Sequence, residues 1–291
     1  MAIGNNGNIL QHWVELEAAQ ALLAEGGAAG VRCVFTHGMA PFERFEHPLP
    51  DNEPKTRVMS RALRMGERLR QGGLPREGQP VLFQAIAELD VSPQHYPNSA
   101  ILLDWLTRTR SAGLRMTVCE VTAAAQEGLK KQWSTEEDDA RVKVVCGSWR
   151  QALQDGALAP RGPAGWPWLV SMDPYTFDPA PNGPASNLAS VSAGDIDSLK
   201  SLLGPLLEST PGLFALFCYS MSEALRRKFQ NVVRDFAAAL PGAPAVALIG
   251  CKRDATIAHV AALVSKDSAR LASLEKAAKR FLGTADYAPP I

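Results

Sequence analysis

Three consecutive residues, Asp173, Pro174 and Tyr175, follow the apolar run 168–172. An acid, a proline and an aromatic ring in a turn at the end of a buried strand suit methylation of an exocyclic amine. Such a nitrogen is a poor nucleophile because its lone pair is delocalised into the ring that carries it. A carboxylate and a backbone carbonyl that accept its N–H bonds localise the lone pair toward a methyl donor, while the aromatic side chain stacks on the base. A tight turn with a buried tyrosine would use the same three residues, so the reading depends on what else lies nearby.

In an open parallel sheet, ligands bind beyond the carboxyl ends of the strands. Thr36, His37 and Gly38 follow the first apolar strand, Glu120 ends the second, and Gly147, Ser148 and Trp149 follow the third. Glu120 stands where a carboxylate accepts bonds from both hydroxyls of a ribose; a solvated surface acid fits the position too. Gly38 lacks a full G-x-G-x-x-G fingerprint, so it is either a cofactor-loop glycine or an ordinary turn. His37 either faces a ligand or makes a structural hydrogen bond. Together these residues bring polar groups to one sheet edge, as a nucleoside cofactor requires.

The elements that must position them alternate in period. Residues 8–25 read as a helix, with Ile9, Trp13, Leu16 and Ala19 at helical spacing. A strand is expected at 31–36, a loop at 41–54, and helices at 55–71, 79–89 and 98–112. Strands then alternate with helices: 116–121 with 122–132, 142–146 with 148–154, 168–172 with 194–208, and 213–219 with 222–239. Strands at 245–250 and 259–265 and a helix at 269–282 close the chain. This alternation builds a parallel sheet covered on both faces, and the continuous apolar strands fit burial on both sides. Residues 40–95 interrupt the pattern and read as a helical insertion within a single domain spanning 1–291.

Composition narrows the function classes. Hydrophobic residues make up 46% of the 291-residue chain and charged residues 21%, as in a globular core. No apolar run approaches the roughly 20 residues of a membrane-spanning helix, and no membrane association is expected. The first residues lack a basic stretch followed by an apolar one, so no signal peptide is expected. Cys33, Cys119, Cys146, Cys218 and Cys251 form no C-x-x-C pair and read as buried free thiols of a cytoplasmic protein. The 30 basic and 30 acidic residues cancel, which argues against coating nucleic acid by bulk charge. Locally, however, 55–76 holds seven basic residues and one acid, a charge of +6 that the rest of the chain offsets. Arg57, Arg61, Arg64 and Arg68 share one face of the helix at 55–71. That face is either an RNA-binding surface or a plain solvated one.

In combination, these residues resemble the bacterial large-subunit ribosomal RNA adenine-N6 methyltransferases. Residues Gly4 to His12 are similar to that family's N-terminal Gly-Asn-His-x-Asp-x-Leu-Lys-His segment, and Val34 to Gly38 to its Leu-Asp-Thr-His-Ala-Gly strand end. His95 to Ala100 resemble its Tyr-Pro-Gly-Ser-Pro helix start, Glu120 its ribose acid, and Asp173-Pro174-Tyr175 its Asp-Pro-Pro-Tyr motif. The matches keep their order from residue 4 to about 220, and the family has an insertion where 40–95 lies. The resemblance implies a Rossmann-like class I methyltransferase fold, α/β, with a mostly parallel sheet of seven strands. It implies S-adenosylmethionine as cofactor, held by His12, His37, Gly38, Ser99, Glu120 and Ser148. Asp173, Pro174 and Tyr175 would form the catalytic turn, and an adenine-like amine of ribosomal RNA would be the acceptor. Departures from the family are specific. Gln11 replaces a lysine, Phe35 and Gly147 replace acids, one proline of the motif is missing, and the Tyr and His that precede the Gly-Asn segment are absent. Partner proteins of the three-cysteine-motif type share the shorter Asp-Pro-aromatic form. A methyltransferase fold that binds cofactor or RNA without turnover, and a small-molecule methyltransferase, are therefore the alternative expectations.

Overall fold

The computed structural model describes residues 6–24, 27–38, 40–43, 57–92, 95–135, 140–178, 183–252 and 258–288. Gly4 and Asn5, Lys55 and most of the expected loop at 41–54 lie outside them.

Strands β1 (Gly30–Phe35), β4 (Gly113–Glu120), β5 (Val142–Cys146), β6 (Trp168–Met172), β9 (Gly212–Met221), β10 (Ala245–Lys252), β11 (Ala258–Ser265) and β12 (Tyr287–Ala288) form one sheet. Its order is β12-β10-β11-β9-β6-β1-β4-β5. The run β5, β4, β1, β6, β9 is parallel, and β11 runs antiparallel to both β9 and β10. A central first strand flanked by the second and fourth core strands, with one reversed strand slotted between the last two, is the class I methyltransferase arrangement. The count is eight rather than seven because Tyr287–Ala288 adds an antiparallel edge to β10. Two-residue strands pair elsewhere: β2 (Phe42–Glu43) with β3 (Tyr96–Pro97), and β7 (Thr176–Phe177) with β8 (Ser190–Val191).

Every residue of β1 and β6 is buried. Side chains of a strand alternate between faces, so Cys33 and Phe35 enter one core and Val34 the other. The first core is covered by α1 (Asn6–Ala24), α2 (Arg57–Arg70), α3 (Val81–Glu88), α4 (Ser99–Thr109), α5 (Ala123–Gln132) and α10 (Ser268–Asp286). The second is covered by α6 (Trp149–Gln154), α7 (Ala193–Ser198), α8 (Lys200–Ser209) and α9 (Glu223–Ala238). The single helix expected over 194–208 is two helices that meet at Leu199. The first is opened by a capping box in which Ser192 and Asp195 satisfy each other's backbone N–H.

All five cysteines are free, but Cys146 is exposed, contrary to the expectation of five buried thiols. It ends β5 at the sheet's edge, where no further strand covers it. Among the described residues, no helix is long and apolar enough to cross a membrane.

Candidate active site at the carboxyl edge of the sheet

The chain order reverses between β1 and β6, and the expected site residues gather on the carboxyl edge around that switch. After β1 the backbone passes so close to β4 that Gly38 has no room for a side chain. A Cβ there would stand 2.6 Å from Glu120 Cβ, 3.0 Å from Glu120 Oε2 and 3.0 Å from Leu129 Cδ1. The Gly38 carbonyl accepts a bond from Asn98 Nδ2 at 2.9 Å. The same asparagine caps α4, its Oδ1 accepting from Ile101 N at 2.9 Å. One side chain therefore fixes both the loop after β1 and the helix that begins at Ser99.

Glu120 is buried rather than solvated. Its Oε1 accepts from Thr122 N at 2.6 Å. Its backbone carbonyl accepts from Gly147 N at 2.9 Å, which ties the ends of β4 and β5 together. Gly147 has φ +126°, a conformation that favours glycine, so an acid at this position would be strained. Ser148 caps α6, its hydroxyl accepting from Arg150 N at 3.3 Å.

Beneath this edge lies a buried polar cluster centred on Glu15, a residue that sequence reading did not single out. Glu15 has no solvent exposure. Its Oε1 accepts from Ser171 Oγ at 2.6 Å and from Gln11 Nε2 at 3.2 Å, and stands 3.7 Å from His37 Nε2. Gln11 Nε2 also approaches His37 Nε2 at 2.5 Å and Ser99 Oγ at 3.4 Å. Glu15 Oε2 and His37 Nδ1 have no hydrogen-bond partner among the described residues. His12 stacks on Tyr96 and shares a hydrogen bond with its hydroxyl at 2.9 Å.

Burial sets the protonation of this cluster. It lowers His37 to about 4, and burial with the neighbouring His37 lowers His12 to about 3. Burial raises Glu15 to about 7, against the opposing bonds from Ser171 and Gln11. Asp173 is raised to about 8 by burial first and by the Glu15 carboxylate second. Both imidazoles are therefore neutral at pH 7, while the two carboxyls titrate close to it.

Asp173 is the first residue after β6, two positions beyond Ser171. Pro174 is buried, and Tyr175 is 42% exposed. The Tyr175 ring lies 4.7 Å from that of Tyr219, which lies 4.5 Å from that of His259. Tyr219 N donates to the Tyr175 carbonyl at 3.0 Å, holding the turn against β9. A recess between Gly7, Asn8, Asp173, Tyr175 and His259 opens beside this ladder. Tyr219 and His259 also escaped sequence reading: each sits in a strand whose composition reads only as core.

The basic helix divides. Arg57 is committed to a bidentate ion pair with buried Asp286, and Arg61 donates to the carbonyls of Phe281 and Leu282. These two arginines fasten α2 to the end of α10 instead of forming a solvated stripe. Arg64 and Arg68 are exposed.

No protein-family description matches the chain, and no curated protein matches it. Among solved structures, a Legionella pneumophila str. Philadelphia 1 protein assigned to the family DUF519 is similar over nearly its whole length. Its TM-score is 0.61 at 12% identity, with 98% of this chain and 96% of that one covered. The human METTL16 catalytic domain in complex with an RNA hairpin has TM-score 0.35 and 13% identity, with coverages of 58% and 61%. A Bacillus cereus O-methyltransferase in complex with SAH has TM-score 0.34 and 12% identity, with coverages of 73% and 92%. The last two are too distant to carry an argument. The first shows that the two chains share one fold over nearly their whole lengths.

Proposed function

We propose that this protein is a cytoplasmic S-adenosylmethionine-dependent N-methyltransferase acting on an adenine-like exocyclic amine in RNA. The observation that carries the reading is the placement of Asp173 and an exposed Tyr175 on the same sheet edge as Glu120 and Gly38. The residues fit the cofactor. The approach of Gly38 to Glu120 leaves a side-chain-free loop beside a buried carboxylate, and Glu15 Oε2 is a buried acceptor lacking a partner among the described residues. Glu120 would hold the ribose, with His12, His37, Ser99 and Ser148 around the remainder. When bound, the cofactor supplies an electrophilic methyl group. Asp173, once ionised, accepts an N–H bond from the acceptor amine, and Tyr175 stacks on its ring. Arg64 and Arg68 would meet RNA phosphates, with 40–95 as an insertion that presents them.

The high pKa of Asp173 favours one second reading, a fold that binds cofactor or RNA without turnover, because a protonated carboxyl is a weaker acceptor for that bond. Transfer of labelled methyl from S-adenosylmethionine to total RNA and to protein-free ribosomal RNA decides between them. Asp173→Asn should leave the fold intact and lower transfer by about a hundredfold, the scale of losing one preorganised polar group. A wild-type protein that binds the cofactor but methylates no RNA supports the second reading. An Asp173→Asn variant as active as wild type would show the assigned role to be wrong.

A further inference from the structure

A second cleft, of about 960 Å³, opens between the core helices α1 and α10 and the inserted helices α2 and α3. Its size is that of a small-molecule site, about 300–1,000 Å³. It shares no residue with the carboxyl edge of the sheet. Trp13, Glu17 and Gln20 line it from one face of α1, while Gln11 and Glu15 turn toward His37 and Ser171. The charge of the lining is uneven: four arginines, Arg61, Arg76, Arg110 and Arg280, stand against Glu17 and Glu77. Arg76 pairs with Glu88. Arg61 donates to the carbonyls of Phe281 and Leu282, and Arg110 to the neutral amide of Gln20 at 2.8 Å. Arg280 is exposed and forms no ion pair with a described residue. Three guanidinium groups thus border one cleft with no carboxylate bound to any of them among the described residues. The floor supplies an independent observation. Trp13, Phe83 and Phe281 are buried together, with ring centroids 5.1 Å apart for Trp13 and Phe281 and 5.7 Å for Phe83 and Phe281. Trp13 is 1% exposed, and its indole N–H has no acceptor among the described residues. A buried donor in that condition is costly until a ligand or a water supplies an acceptor.

We propose that this cleft binds a nucleotide phosphate, with the phosphate among Arg61, Arg110 and Arg280 and the base against the aromatic floor. Guanidinium forks match the paired oxygens of a phosphate. An apolar floor with one buried donor suits a flat ring that carries an acceptor. Glu17 gives one oxygen to Val81 N at 3.1 Å and offers a carboxylate on the same wall to a ribose hydroxyl or a base N–H. An acidic peptide fits less well, because it brings no ring for the floor and its further carboxylates would face Glu17 and Glu77. A free nucleotide and a single strand of RNA both carry the required chemistry. The inference is independent of what the carboxyl edge binds.

Titration calorimetry on the full chain tests this with uridine probes, which an adenosine site at the carboxyl edge does not favour. Uridine monophosphate should bind at least about tenfold more tightly than uridine or inorganic phosphate. Arg110→Gln combined with Arg280→Gln should weaken it at least about tenfold. Both side chains are exposed, so the unfolding midpoint of that variant should match wild type. Trp13→Phe, which keeps a ring and removes the donor, should weaken it about threefold or more. Excess S-adenosylmethionine should not displace it. A hexauridylate strand separates the two sources. An affinity equal to that of the monophosphate marks a free-nucleotide site, and one at least about tenfold higher with a steep salt dependence marks an RNA strand. The proposal is overturned if neither probe binds, if inorganic phosphate or a hexaglutamate peptide binds as tightly as the monophosphate, if the double variant binds as wild type does, or if S-adenosylmethionine displaces the probe. None of these results touches the cofactor reading of the carboxyl edge, which stands or falls on its own titration.

Discussion

Replacing Glu15 with glutamine removes a charge that the fold is poorly built to hold, and the consequence for stability has a definite sign. Glu15 is raised to about 7 in the folded protein, from an ordinary value of 4.5. Between those values the folded chain binds more protons than the unfolded one, so stability falls as pH rises through the window. Asp173, raised to about 8, acts in the same direction. His12 and His37, lowered to about 3 and about 4, act oppositely, because the unfolded chain binds more protons below 6.5. The two pairs largely cancel between pH 4.5 and 6.5, and above 6.5 only the carboxyls remain. The ligand-free protein should therefore lose stability between pH 6.5 and 8. Integrating the Glu15 contribution alone from pH 6 to 8 gives roughly 1–2 kcal/mol. Glu15→Gln should recover that amount relative to wild type over the same interval, read by reversible urea unfolding at each pH. It should also raise the unfolding midpoint at pH 8 by roughly 2 °C relative to the difference at pH 6. Parallel pH profiles for the two proteins would show that Glu15 is not held as an enclosed, counter-ion-free acid.

Glu120→Ala should weaken S-adenosylmethionine binding at least about tenfold by calorimetry, roughly 1.4 kcal/mol, because a carboxylate offers two acceptors to a diol. Gly38→Ala should do the same by pushing Glu120 aside, and the overpacking should also cost roughly 1–3 kcal/mol in urea unfolding. An unchanged affinity in both variants would remove the β1 and β4 ends from the site. Arg64→Ala and Arg68→Ala should each flatten the log–log salt dependence of RNA binding by about 0.7–0.9; binding that ignores salt would return this face to plain solvation. Arg57→Ala should instead destabilise the fold by roughly 1–3 kcal/mol, by leaving buried Asp286 unsatisfied.

The sequence disclosed those parts of the molecule whose physical cause is local. Strands β1 and β6 are short apolar runs because both faces of a central parallel strand are covered, and that burial is visible in composition alone. Asp173-Pro174-Tyr175 was legible for a related reason: a charged residue and a proline directly after such a run can only be the strand's exit. Tertiary partners were not legible. Arg57 reads as one member of a basic stripe until Asp286 is placed beside it, 229 positions later in the chain. Cys146 reads as a core thiol until β5 proves to be the last strand of the sheet.

Glu15 is the sharpest instance, because its local signal points the wrong way. An acid four residues after a glutamine on a helix ordinarily marks the solvated face. Here α1 has hardly any such face: from Ile9 to Leu16 every residue is buried, since the helix is packed among the sheet, α2, α3, α4 and α10. A helix enclosed on all sides has no surface on which to leave Gln11, His12 and Glu15, so the fold must give them partners. It supplies Ser171, His37, Ser99 and Tyr96, and leaves one carboxylate oxygen over. That leftover acceptor lies under a sheet edge where the fold places its ligands. An enclosed acid with no function would be expected to give way to an apolar residue of similar volume, since burying such a group costs stability. What Glu15 offers in return is a hub that ties α1 to β6 through Ser171 and, by way of Gln11, to His37 in the loop after β1.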